Sequence, residues 1–174
     1  MNAHVTPWLA MALNNAWANA TLYQSIKALP PQASTAARPG FFGSLAQTMN
    51  HIFEVDLYYL DALEGGGHGR SVFDRKAVTG AAELARLQLE ADIRFATFCG
   101  RLNDNTLAEK RTTDRETGPV EENVAALILH LVQHQIHHRG QAHVQLSDAG
   151  IPPPQLDDFY LTHGRVPSAE AYWS

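Results

Sequence analysis

Four long stretches of helical periodicity, each closed off by residues that helices do not tolerate, constrain this chain more than any other feature. The first opens at Thr6-Pro7, a capping residue followed by proline at the first helical position, and closes at Pro30-Pro31. The second follows "ARPG" and covers "FFGSLAQTMNHIFEVDLYYLDALE", residues 41–64; it stops at Gly65-Gly66-Gly67, where the chain gains the freedom to turn. The third, "AAELARLQLEADIRFATFC" at residues 81–99, has Thr79 or Gly80 as its cap and ends near Gly100. The fourth follows Gly118-Pro119, with Glu121 placed to meet the helix dipole, and runs to Gly150, after which "IPPP" prevents further helix. No stretch sustains the alternation of a strand, and the polar segment at residues 106–118 has room for at most a short hairpin. The tail "QLDDFYLTHGRVPSAEAYWS" mixes aromatic and turn residues and is expected to pack on the rest. The pattern predicts an all-α four-helix bundle forming one domain over residues 1–174.

Composition narrows the function classes. Apolar residues at 45% can fill a core, and a net charge of −5 with no run of Lys or Arg leaves no footprint for nucleic acid or an anionic membrane surface. Cys99 is the sole cysteine, so no intrachain disulfide forms; this fits a reducing cytoplasm. It lies near the end of an apolar helix and reads as buried and inert. "PWLAMAL" with "AWANA" faintly resembles a secretory leader, but the first basic residue is Lys27 and Asn14-Asn15 interrupts the apolar run; we read a mature amphipathic helix. No segment approaches the ~20 apolar residues of a membrane span. A phosphate-binding loop, a nucleophile elbow and a thioredoxin-type cysteine pair are all missing from the sequence.

The chemistry concentrates in "HLVQHQIHHRGQAH", residues 130–143, which holds five of the nine histidines. With His130 at zero on an ideal wheel, His134 lies near ~40°, His138 near ~80° and His137 near about −20°. Gln141 falls in the same sector, while His143 points to the far side and reads as a surface residue. His134 and His138 sit one turn apart at the edge of the core face, a spacing that lets two imidazoles converge on one ion. His130 and His134 have the same spacing, and the wheel alone does not choose between the pairs. Two imidazoles hold a metal weakly, so a third ligand must come from another helix, and His51, mid-way along the second stretch, is the best candidate. Each histidine read alone is as well explained by packing and hydrogen bonding. His4, His68 and His163 read as exposed loop or terminal residues. The tyrosines of "DLYYLDAL", with Trp8 and Trp17, read as core and as candidates for a homodimer interface.

Asn50-His51-Ile52 with Asp56 downstream is similar to the second helix of the DinB/YfiT-like family, and "HLVQHQIHHRGQ" resembles the signature of its last bundle helix. "PPPQLDDFYL" resembles the region that follows in the family, so the likeness spans nearly the whole chain. It implies a four-helix bundle with a divalent metal, zinc or nickel, on three histidines, which here are His51, His134 and His138. It also implies a homodimer and kinship with S-transferases and isomerases that use low-molecular-weight thiols. On that reading a metal-bound thiol or water attacks a small-molecule substrate, with His130 and His137 the only nearby bases. The alternatives are a metal-stabilised stress protein without catalysis and a purely structural bundle. Within the motif, Arg139 is read either as pairing with an acid such as Asp56 or Glu54 or as solvated. Gly140 is read as a point of close helix approach, and Gln141 as a group that orients a ligand ring or contacts metal-bound water.

Overall fold

Thr6 does what its position predicts: its hydroxyl accepts from the Leu9 N–H at 3.2 Å, with proline next in line, and α1 runs Pro7–Lys27. A computed structural model of the chain describes residues 6–173, so His4 lies outside the described residues. The second helix, α2, is Leu45–Glu64 and starts later than the periodicity suggests. Gly40, at φ +133°, and the bends through residues 41–44 hold the chain open until Ser44 caps the Gln47 N–H. Gly65 ends α2 at φ +71°, a left-handed conformation that favours glycine. The third helix, α3, is Ala81–Cys99, with Gly80 as its cap residue.

The main correction concerns the start of the last long helix. Residues after Cys99 form one short turn of helix, α4 (Asp104–Ala108), and then a hairpin of β1 (Lys110–Arg115) and β2 (Gly118–Asn123). The strands are antiparallel, with Arg115 opposite Gly118 and Lys110 opposite Asn123. The long helix α5 therefore begins only at Val124 and runs to Asp148. Glu121 lies on β2 opposite Thr112 and pairs with Lys110 at 3.4 Å, well before any helix dipole. Gly118 at φ +111° explains the error: it serves the hairpin turn rather than a helix start. The hairpin is tied to α2, since Tyr58 Oη donates to the Asp114 carbonyl and Arg111 Nε to the Leu63 carbonyl. A short helix, α6 (Pro167–Glu170), lies in the tail.

α1 packs on α3 and α2 on α5, and contacts between α2 and α3 and between α1 and α5 close the four-helix bundle. Leu22, Leu45, Met49, Ile52, Leu60, Leu63, Ile128, Leu131 and Leu146 are almost wholly removed from water. Each such side chain contributes about 1.5–3 kcal/mol of burial free energy. A smaller apolar cluster joins Phe159 and Ala169 of the tail to Trp17 and Ala18 of α1, and Trp17 Nε1 donates to Ser168 Oγ at 3.1 Å. Trp17, Tyr58 and Tyr59 are buried inside the chain, whereas Trp8 is half-buried.

Among the four long helices lies a ring of buried polar side chains that the sequence reading missed. Arg139 Nη1 donates to Asn15, Asn19 and Gln135; Gln135 and Gln88 donate to Asp56; Gln88, Asn15 and Asn19 donate to Asp92. Arg139 is therefore largely buried and not directly paired with Asp56 or Glu54; amides stand between it and the acids. Gly140 marks no close approach either, because a Cβ there would meet nothing within 4 Å.

Candidate metal centre

The spacing of one turn on α5 puts the rings of His134 and His138 4.3 Å apart, centroid to centroid. α2, packed alongside, brings His51 to both, at 5.0 Å from His134 and 4.6 Å from His138. One ligating atom from each of the three lies within 4.8 Å of the others, a grouping that could hold a metal ion. The Nε2 atoms of His51 and His134 are 3.0 Å apart. Two nitrogens bonded to one tetrahedral ion at ~2.0–2.1 Å stand about 3.3 Å apart, so the pair needs only a slight separation to accept one. His130 is excluded from the grouping: it is exposed, its ring is 6.4 Å from that of His134, and it packs on Tyr59.

The imidazoles are held in the neutral form that ligates. Burial, with repulsion from His138, lowers His51 to about 4. Burial first, then the neighbouring histidines, lowers His134 to about 3, and burial lowers His138 as well. Phe42 lies against two of the rings, 4.5 Å from His51 and 5.6 Å from His138. Gln145 of α5 fixes Phe42 in place by donating to its carbonyl at 2.8 Å.

Gln141 sets the tautomer of one ligand. Its Oε1 is 2.9 Å from His138 Nδ1, which must donate to it, so the lone pair of His138 is on Nε2. Its Nε2 in turn donates to His137 Nε2 at 3.1 Å, which ties up the exposed His137. His134 Nδ1 has no such help; it is sealed from solvent without a partner among the described residues. The remaining histidines lie apart. His143 is on the far side as expected but half-buried, its Nε2 2.5 Å from the Pro154 carbonyl, and His68 and His163 are exposed. Cys99 is buried and free, its thiol pushed by burial up to about 12.

Comparisons with known proteins show the family and the fold. Residues 1–167 match the DinB family. The chain belongs to the DinB family. This DinB chain is 23% identical over 153 residues to Protein DinB of Bacillus subtilis (strain 168), a match covering 82% of this chain and 86% of that protein. A crystal structure of a DinB-like protein from Bacillus cereus ATCC 10987 shares the fold, with a TM-score of 0.62 at 18% identity, over 80% of this chain and 90% of that one. Three features of the DinB site escaped the sequence reading. They are the Phe42 cover, the bond by which Gln141 also engages His137, and, beside His130, the pairing of Tyr59 with Arg115, whose Nη1 donates to Tyr59 Oη at 3.3 Å. The first and the last are contacts across the fold, whereas the Gln141 bond lies within α5.

Proposed function

We propose that this DinB protein is a metal-dependent enzyme in which His51, His134 and His138 hold a divalent ion, zinc or nickel. It acts on a small molecule through a low-molecular-weight thiol or through water, as a thiol S-transferase or a hydrolase. The observation that carries the reading is the convergence of three neutral imidazoles from two helices, with ligating atoms within 4.8 Å. An ion bound there supplies a Lewis acid that lowers the pKa of a thiol or water, so that it attacks at neutral pH. The chain's own residues do the rest. Gln141 orients His138, and Phe42 keeps water from one side of His51 and His138. His130, exposed beside Tyr59 and free of the hydrogen bond that occupies His137, is placed to accept a proton. Arg115 brings a positive charge to the Tyr59 edge, suited to an anionic group on the substrate.

The same reading makes the protein a cytoplasmic homodimer. A single free cysteine supports the compartment, and no described helix is long and apolar enough to cross a membrane. The exposed pair Leu89 and Ile93, one turn apart on α3, supplies apolar surface for a second copy.

A second reading has its own observation. The triad bridges α2 and α5, so an ion there would cross-link the bundle without any chemistry. Elemental analysis of untagged protein, followed by a screen for thiol transfer and hydrolysis, separates the two. About one zinc or nickel per chain with turnover supports the enzyme. Metal without turnover, with a melting temperature that falls on chelation, supports the cross-link. Protein that carries no metal and melts identically with and without added zinc or nickel sinks both.

A further inference from the structure

The motif His-Arg-Gly-Gln has four residues, and the metal centre uses only His138 and Gln141. Arg139 and Gly140 face elsewhere. On an ideal helix they lie roughly 140° and 240° around from His134, on the opposite side of α5. There they border a groove of about 500 Å³ between α5, α1 and the tail. Its walls include Ile136, Leu156 and Tyr160, which are apolar apart from the tyrosine hydroxyl.

Three observations mark this groove as a built site. Arg139 is 5% exposed, yet only its Nη1 is engaged in the buried ring. Its Nε and Nη2 donate to no group among the described residues, and neither is sealed from solvent, so their N–H groups are left for the groove. Asn15, Asn19 and Gln135 clamp the guanidinium from behind, which fixes the direction of the free edge. Gly140, finally, leaves open the space that any larger side chain would fill, since a Cβ there meets nothing within 4 Å.

We propose that this groove binds a small monocarboxylate with an apolar body, its carboxylate paired with the Nε and Nη2 edge of Arg139. A planar guanidinium edge suits a carboxylate in two parallel hydrogen bonds. Ile136, Leu156 and Tyr160 cover the apolar body. Asp157, also on the wall, disfavours a second acidic group on the ligand. The tail is part of the site because Phe159, buried against Trp17, anchors the chain beside Tyr160.

Calorimetric titration of the protein as purified with phenylacetate tests this, with phenylacetamide and acetate as controls. Phenylacetate should bind, and each control should bind at least about tenfold more weakly, one lacking the charge and the other the apolar body. Gly140→Leu fills the groove at an exposed helix position and should fold at least as well as the parent, yet lose about tenfold or more in phenylacetate affinity. His134→Ala should keep that affinity, because the groove is on the other side of α5. Lack of binding at millimolar phenylacetate overturns the proposal, as do equal binding of phenylacetamide and an unchanged affinity in Gly140→Leu. Loss of binding in His134→Ala also overturns it, by placing the carboxylate at the triad.

Discussion

His138 differs from the other two members of the triad in having its proton placed, and that difference can be measured. Replacing Gln141 by Leu removes the acceptor on Nδ1 and frees the ring to rotate and change tautomer. Metal affinity should fall by about 10–100-fold while the metal-free protein melts as before; Gln141→Glu, which keeps an acceptor, should recover most of the loss. Equal affinities for Gln141→Leu and the parent would show that the hydrogen bond does not order the ligand. His51→Ala, His134→Ala and His138→Ala each leave two imidazoles and should lose stoichiometric metal in elemental analysis. His130→Ala and His143→Ala should keep it, since one ring packs on Tyr59 and the other faces the Pro154 carbonyl. Retention by His138→Ala together with loss by His130→Ala would put the site one turn away. At this scale the sequence carries spacing, so His134 and His138 were legible on one helix face. It carries neither the state of a proton nor a contact across the fold: the wheel leaves His130 open, the family resemblance favours His138, and the packing adds the 6.4 Å between the His130 and His134 rings and the Phe42 cover.

The elements were legible where a capping signal coincides with the onset of periodicity, as at Thr6-Pro7, and misread where the two separate. Phe41 and Phe42 extend the apolar pattern of α2 backwards, but Ser44 holds the cap, and Phe42 is used against the histidines instead. Ser44→Ala should cost about 1 kcal/mol in urea unfolding by losing the hydrogen bond to the Gln47 N–H. A short hairpin within residues 106–118 was legible, but its extension to Asn123 was hidden for a similar reason. A glycine and a proline before a helix look like a helix start, whereas Gly118 at φ +111° is a turn residue and Pro119 sits within β2. This predicts a sign. Gly118→Ala forces a side chain into a left-handed conformation and should destabilise by about 1 kcal/mol or more. An unchanged or higher unfolding midpoint would return residues 118–123 to the helix. In the proposed function the hairpin contributes Arg115, which reaches from β1 to Tyr59 beside His130.

For the whole molecule, the buried ring and the triad pull stability in opposite directions with pH. Burial, then repulsion from Asp92, pushes Asp56 up to about 8 against the bonds from Gln88 and Gln135; burial pushes Asp92 up to about 6. An ionised Asp56 has no donor on Oδ1, which is sealed without a partner among the described residues. Both acids hold protons in the folded chain that the unfolded chain has already released, so their contribution to stability is full below ~4 and is lost as pH rises through the folded values. The histidines do the reverse. With His51 lowered to about 4 and His134 to about 3, the unfolded chain binds protons first, and stability is lost as pH falls below ~6.5. Between ~4 and ~6 the two effects oppose each other. From pH ~6.5 to ~8 Asp56 dominates, and metal-free protein should lose stability with rising pH, at no more than about 1.4 kcal/mol per pH unit. Asp56→Asn keeps an oxygen to accept from Gln88 and Gln135 but carries no charge to bury, so its unfolding midpoint should stay nearly level over that interval. A parent protein whose midpoint is flat or rising from pH ~6.5 to ~8, measured after chelation so that ligand binding does not contribute, would mean that Asp56 is ionised in the fold and that Arg139 compensates it through the ring.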